Sequence, residues 1–145
     1  MKDLIKHAVF FTILLSIINC KPKSNQQELE TTQNNLKRVW MLVEFQNFKK
    51  EDLIKNKAQM NLTDFNNPNA NMGCNGMGFK VVVKEKNIQF SNIMRTEMFC
   101  EGKMELENAF SQSLPEFDSY LLEGQKLILK NKKDEKIIFI AQDWD

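Results

Sequence analysis

Two sulfur-containing segments hold the residues of this sequence that could do chemistry. The first, residues 71–78, reads NMGCNGMG, and the second, residues 94–100, reads MRTEMFC. Cysteine and methionine side chains can form a disulfide, bind a soft metal ion such as Cu(I), or react as nucleophiles. Which chemistry applies depends on the compartment in which the chain folds, because disulfides persist only in oxidising compartments.

The N-terminal residues indicate export. Lys2 and Lys6 give a weakly positive start, and residues 8–18 form an apolar run of eleven residues. A membrane-spanning helix needs about 20 apolar residues, so the run fits a signal peptide over residues 1–19 better than a transmembrane helix. A buried N-terminal helix is the alternative. The following IINC, ending at Cys20, resembles a bacterial lipobox, so we expect Cys20 to carry acyl chains that anchor the protein stably.

Removal of the signal peptide would remove the chain's single histidine, His7. Ser-His-Asp and Cys-His nucleophile arrangements would then be excluded, and so would histidine-bearing zinc sites. Carboxylate pairs of the glycosidase type need no histidine and stay open. The formal net charge of +1 gives no basic surface for nucleic acid. We therefore expect no enzyme, no cofactor and no nucleic-acid partner.

The remaining chain divides into a tether and one domain. Residues 20–36 comprise the lipidated cysteine and a polar stretch, SNQQELETTQNN, whose one large apolar residue is Leu29. Such a stretch cannot bury enough surface to fold alone, which predicts a tether. Residues 37–145 carry the apolar patterns of a folded domain.

The patterns of this domain are mostly those of short strands. Residues 38–45 alternate so that Phe45 shares a face with Val39, while Trp40 occupies the other face. Residues 58–62 form a half-buried strand, and residues 79–90 form a hairpin. Three more strands are predicted within residues 120–140, for a total of seven or eight.

One predicted helix interrupts the strands. Leu106, Phe110 and Leu114 recur at helical spacing, and Pro115 should end the helix because proline cannot donate an interior hydrogen bond. A sheet of this size must cover its edges or close. The predicted fold is therefore mainly β (α+β), a small antiparallel β-barrel-like or strongly bent sheet with one inserted helix packed across it.

Three motifs, in their order and spacing, resemble the META domain family, which includes HslJ-like heat-shock lipoproteins. They are GCN at residues 73–75, TEMFC at 96–100 and MELENAF at 104–110. The resemblance covers roughly residues 36–139. It implies a small β-barrel-like fold with a helix across it, and a place in the bacterial cell envelope. Members are associated with heat shock and antibiotic tolerance, and the resemblance implies no enzyme.

Cys74 and Cys100 are the cysteines that remain once Cys20 is lipidated. In an exported chain an even pair predicts a disulfide first. That bridge would close a loop of about 27 residues and contribute roughly 3–4 kcal/mol.

The residues around Cys74 are assigned to a structural turn. Gly73, Gly76 and Gly78 can adopt positive φ or let another backbone approach closely. Asn75 tolerates left-handed backbone and can bond to neighbouring backbone groups. The turn would aim Cys74 at its partner.

Two alternatives for the sulfur atoms stay open. One is a Cu(I) site, since thiolates and thioethers suit this ion; its ligands would come from Met72, Cys74, Met77, Met94, Met98 and Cys100. The other is a reactive thiol at Cys100, whose pKa Arg95 and Lys103 could lower if they were close in space.

The expected function is that of a lipid-anchored, non-enzymatic envelope protein, acting in heat-shock, envelope-stress or antibiotic tolerance by binding another envelope component. Lys21 follows Cys20 where inner-membrane retention would favour aspartate, so we expect the outer membrane, facing the periplasm. Trp144 is a candidate contact residue, or a strand-end aromatic packed on the domain. The alternatives are a small apolar ligand inside the barrel and Cu(I) binding.

Overall fold

A computed structural model of the protein describes residues 25–143. The signal peptide with His7, the lipidation site Cys20 and the terminal Trp144 lie outside the described residues. The helices within the described range are all too short or too polar to cross a membrane.

Within residues 25–143 eight antiparallel strands close into a barrel, which confirms the predicted fold class. The strands are β1 (Val39–Phe45), β2 (Gln59–Asn61), β3 (Asn69–Asn71), β4 (Gly76–Lys84), β5 (Asn87–Arg95), β6 (Phe117–Glu123), β7 (Lys126–Asn131) and β8 (Lys136–Ala141). The helices are α1 (Asn25–Leu36), α2 (Lys50–Lys55) and α3 (Met104–Ser113), and a 3-10 turn at Leu114–Glu116 follows α3.

The face assigned to Phe45 was wrong. Trp40, Leu42 and Phe45 all point into the core, because the register of β1 against β8 shifts between Leu42 and Glu44. The extra residue of such a β-bulge moves the following side chain to the opposite face. Strict alternation, which put Phe45 with Val39, cannot anticipate this shift.

Large side chains fill the interior of the barrel. Phe110 of α3 packs edge-on against Phe45 and Phe139, with ring centroids 5.7 and 6.4 Å apart. The indole nitrogen of Trp40 donates to the Leu36 carbonyl at 2.9 Å, which satisfies its polar group inside the core. Other fully buried members are Leu42, Leu53, Met60, Leu62, Met72, Met77, Ile88, Leu127, Leu129 and Ile137.

The antiparallel order gives the barrel two distinct ends. At the first, which we call the α1 end, β1 begins and β4 turns into β5. Gln33 of α1 donates to the Val83 carbonyl beside that turn at 3.4 Å. At the opposite end, the α3 end, β4 begins and β5 ends, so residues 72–75 and the loop 96–103 lie together there.

Three elements were not predicted. Residues 25–36, assigned to the polar tether, are helical, and Leu36 at the end of α1 is buried. The six-residue α2 buries only Leu53, so its sequence carries little helical periodicity. Strand β3 has three residues, of which Ala70 alone is apolar, so it carries no alternating pattern.

Candidate functional site

The disulfide joins the first two motifs at the α3 end. Cys74 and Cys100 are bonded, with their Cα atoms 6.0 Å apart and a sequence separation of 26 residues, which confirms the predicted pairing. Cys74 precedes β4, and Cys100 lies in the loop 96–103 between β5 and α3. The bridge therefore ties this loop to the start of β4.

The side chain of Asn75 is a hub of hydrogen bonds across the same segments. Its Oδ1 accepts from the Thr96 hydroxyl at 2.7 Å and from the Met98 N–H at 2.8 Å. Its Nδ2 donates to the Met98 carbonyl and to Oε1 of Glu107, both at 2.9 Å. A single buried amide thus fixes the loop and contacts α3, the helix of the third motif.

Glu107 completes this network from inside the protein. It is fully buried, and its Oε2 accepts from the Asn75 backbone N–H at 2.7 Å. Arg95 Nη1 lies 3.6 Å from Oε1 and supplies a counter-charge. A buried carboxylate is tolerated when it is paired and hydrogen-bonded, as this one is.

The role of Glu107 was not predicted from the sequence. A signal was present, because Glu107 lies three residues before Phe110 and seven before Leu114, on the apolar stripe of α3. A charged residue on a buried stripe requires a partner inside the protein. Its partner Asn75 is 32 residues away in sequence, so spacing could not point to it.

The glycine assignments are only partly right. Gly73 has φ +112°, and a Cβ there would lie 2.8 Å from Cβ of Asn56, so both conformation and space require glycine. Gly76 and Gly78 lie in β4 without positive φ, and a Cβ would meet nothing within 4 Å. Gly76 begins β4 just after the turn, and Gly78 lies at a register shift of β4 against β5, so neither is part of the turn itself. Asn75 acts through its side chain, since its φ is not among the positive values.

The sulfur atoms do not assemble as Cu(I) ligands. Both thiols are consumed in the disulfide. Met72 and Met77 are buried in the hydrophobic core, whereas Met94 and Met98 are exposed. The residues that the structure describes contain no cluster of three or more His, Cys, Asp or Glu side chains suited to a metal ion.

The Cys74–Cys100 disulfide also argues against a reactive thiol at Cys100. Cys100 has no free thiol, and the two cations near it in sequence are engaged elsewhere. Arg95 contacts Glu107 and donates to the Asn108 side chain. Lys103 Nζ donates to the Gly73 carbonyl at 3.2 Å.

The end of β5 and the loop 96–103 carry three exposed apolar side chains within six residues of sequence. Phe99 is 84% exposed and Met98 is 58% exposed, and Met94 at the end of β5 is 72% exposed. We call Met94, Met98 and Phe99 the apolar knob. The largest exposed aromatic ring of the described residues therefore sits directly beside the disulfide.

Two open clefts lie at the same end of the barrel. One, of about 360 Å³, is lined by Phe48 and Ala109 together with charged residues such as Asp52 and Glu105. The other, of about 540 Å³, includes Phe117 and a rim of charged residues. Both are open to the surface, and the large core side chains lie inside the barrel.

Comparison with known proteins agrees with the motifs. The family model of the META domain matches residues 20–144. A protein from Burkholderia xenovorans solved by NMR is similar in structure, with a TM-score of 0.62 and 16% identity over 77% of this chain and 88% of that one. A second NMR structure gives a TM-score of 0.59 and 17% identity over 74% and 91%.

These structural similarities establish the fold alone, since the identities are low. No curated protein is significantly similar in sequence. The family match spans most of the chain and includes all three motifs that meet at the α3 end. It suggests an envelope-associated protein. This chain belongs to the META domain family.

Proposed function

We propose that this protein is a lipid-anchored, non-enzymatic component of the bacterial envelope that supports heat-shock, envelope-stress or antibiotic tolerance by binding another envelope component. The observation that carries the proposal is the closed network around Asn75. Asn75, Thr96 and Glu107, one residue from each motif, are joined through the Asn75 amide, and the thiols of Cys74 and Cys100 are both consumed in the disulfide. The motif residues therefore stabilise the fold, and we assign the binding function to the surface of the domain.

The rest of the described chain supports the same interpretation. Every buried side-chain nitrogen and oxygen among the side chains that the structure describes has a hydrogen-bond partner. Catalytic groups, in contrast, commonly have strongly perturbed pKa values in a cleft. Tyr120 has a raised pKa, caused by burial, and its hydroxyl donates to the Glu85 carbonyl at 2.7 Å. This bond gives Tyr120 a structural role.

The anchor at Cys20 is proposed from the lipobox-like sequence IINC. With Lys21 after the cysteine, the proposed position is the outer membrane, facing the periplasm. An acylated N terminus would hold the domain near the bilayer and raise the effective concentration of partners in the same membrane.

The experiment has two parts. The first is the intact mass of the protein extracted from native membranes, which should equal residues 20–145 plus acyl groups. A mass that retains residues 1–19, or that lacks acyl groups, would refute the anchor.

The second part is survival of a deletion strain after heat shock and after antibiotic exposure. Restoring the wild-type gene should restore survival, whereas Cys20→Ser should restore it poorly because the variant is not anchored. Matched expression of the two forms is verified by immunoblot. Survival that does not depend on the gene would refute the stress role.

A further inference from the structure

The apolar knob is unusual because its three side chains are the most exposed large apolar side chains among the described residues. Phe99 is 84% exposed and lies outside the core, while the other members, Met94 and Met98, are 72% and 58% exposed. Phenylalanine and methionine are enriched at protein interfaces relative to the rest of the surface. Exposed apolar side chains that form a patch mark interaction sites, and these three lie within six residues of sequence.

The backbone beneath the knob is fixed at several points. The N–H of Thr96 donates to the Gly76 carbonyl at 3.1 Å. Both backbone groups of Met98 bond to the amide of Asn75, and Cys100 is bonded to Cys74. A loop that is already held in one conformation loses little entropy on binding, which favours affinity.

The size of the knob points to a pocket on the partner. Large apolar side chains bury about 150–250 Å² each, so the three partly exposed side chains present on the order of 400 Å². A stable interface between two copies of a chain needs about 800 Å² from each copy. The knob is too small for a flat dimer interface, but an aromatic anchor in a pocket can dominate a small one.

The charges around the knob distinguish a protein from a lipid surface. Arg95 is already paired with Glu107. The other charged residues of the loop are Glu97, Glu101 and Lys103, all exposed, so two acidic groups and one basic group leave a net charge of −1. An anionic bilayer attracts basic segments, and carboxylates oppose insertion. A protein rim with cationic side chains complements this loop.

We propose that the apolar knob docks into an apolar pocket, rimmed by Lys or Arg, on a second protein of the envelope. This proposal rests on the proposed binding function and assigns its surface. The position of the knob supports it, because the loop lies at the α3 end of the barrel, whereas the chain enters from α1 at the opposite end. The knob is thus remote from the point at which the tether joins the domain.

The test places a photo-reactive phenylalanine analogue at Phe99 of the full-length chain in its native cells. The matched control places it at Ile54 of α2, an apolar residue that is 57% exposed and outside the loop. A cross-link to one protein from position 99, and none from position 54, is the expected result. The captured protein, once purified, should bind the wild type and bind Phe99→Ser at least about tenfold more weakly in calorimetry.

Two further variants sharpen the result. Ile54→Ser should leave the affinity unchanged, and Glu97→Lys should weaken it because the partner's rim is cationic. Phe99 is exposed, so Phe99→Ser should keep the wild-type urea midpoint, which separates lost binding from lost folding.

The opposing outcomes are distinct. A cross-link to lipid, or to a second copy of the chain, would overturn the pocket proposal. A cross-link from position 54 alone would overturn the assignment to the knob and leave the binding function intact. The absence of cross-links from both positions would refute the binding function as well.

Discussion

Replacing Asn75 by alanine removes the side chain that holds the three motif segments together. The variant keeps the backbone N–H that donates to Glu107, and it keeps the Cys74–Cys100 bridge. It loses four amide bonds to oxygen and nitrogen partners, which involve the Thr96 hydroxyl, both backbone groups of Met98 and the Glu107 carboxylate. It also loses a weak bond from Nδ2 to the Cys74 sulfur at 3.4 Å. The change therefore removes the amide while the disulfide bond itself stays in place.

The size of the effect follows from these four bonds. The three neutral bonds are worth about 1 kcal/mol each, and the bond to the carboxylate about 1.5–3 kcal/mol. Thr96 and Met98 are on the exposed loop and can bond to water in the variant, whereas Glu107 is fully buried and cannot. We expect the free energy of unfolding to fall by about 3–5 kcal/mol, a large share of the total for a domain.

Urea denaturation of the oxidised protein measures this change, with the m-value checked for constancy. Asn66→Ala is the matched control, because Asn66 is exposed and its side chain takes part in none of the bonds of the network. The control should change the free energy of unfolding by less than about 0.5 kcal/mol. A loss at Asn75 below about 1.5 kcal/mol would refute the reasoning and show that the disulfide alone holds the loop.

Three other predictions follow from the same structure. Gly73→Ala should lower the free energy of unfolding by about 2–3 kcal/mol, because Gly73 has a positive φ and lies against the Asn56 side chain. The control, Gly76→Ala, should change it by less than about 1 kcal/mol. Equal effects of the two substitutions in urea denaturation would contradict this prediction. Reduction of the Cys74–Cys100 disulfide should lower the free energy of unfolding by about 3–4 kcal/mol, and an unchanged thermal midpoint in reductant would contradict it. Burial raises the pKa of Tyr120, the one tyrosine of the sequence, so its contribution to stability is complete below about pH 10 and falls as the pH rises from there. Near-ultraviolet titration of the phenolate checks this, and a folded pKa at or below about 10 would contradict it.

The strands could be predicted from the sequence wherever side chains alternate over several residues. The hairpin of β4 and β5 is one case, and the end of α3 at Pro115 follows from the chemistry of proline. The bulge in β1 could not be predicted, because it depends on the register against β8, which is almost 100 residues away in sequence. Phe45 reaches the core only through that shift.

The candidate site also has one part that the sequence predicts and one part that it does not. The disulfide followed from the number of cysteines and the expected compartment, two properties of composition. The hydrogen-bond network of Asn75 could not be predicted in this way. Its partners are 21 to 32 residues away in sequence, and only the closed barrel brings them together. The glycines were misread for a related reason. Gly73 and Gly76 look alike in sequence, and only the fold gives Gly73 the positive φ and the close Asn56 side chain that make glycine necessary.

The three motifs therefore encode one structural unit, and this bears on where function is sought. In a reactive centre, polar groups stay available to a substrate, whereas here the Asn75 amide, the Glu107 carboxylate and both cysteines are committed to each other. What the unit leaves available is the apolar knob, whose Phe99 contributes little to folding because it is exposed. A fixed scaffold beneath an exposed aromatic ring is the arrangement of a binding anchor. Substitutions in the scaffold should thus abolish function by unfolding the loop, and substitutions in the knob should abolish it in a fully folded protein.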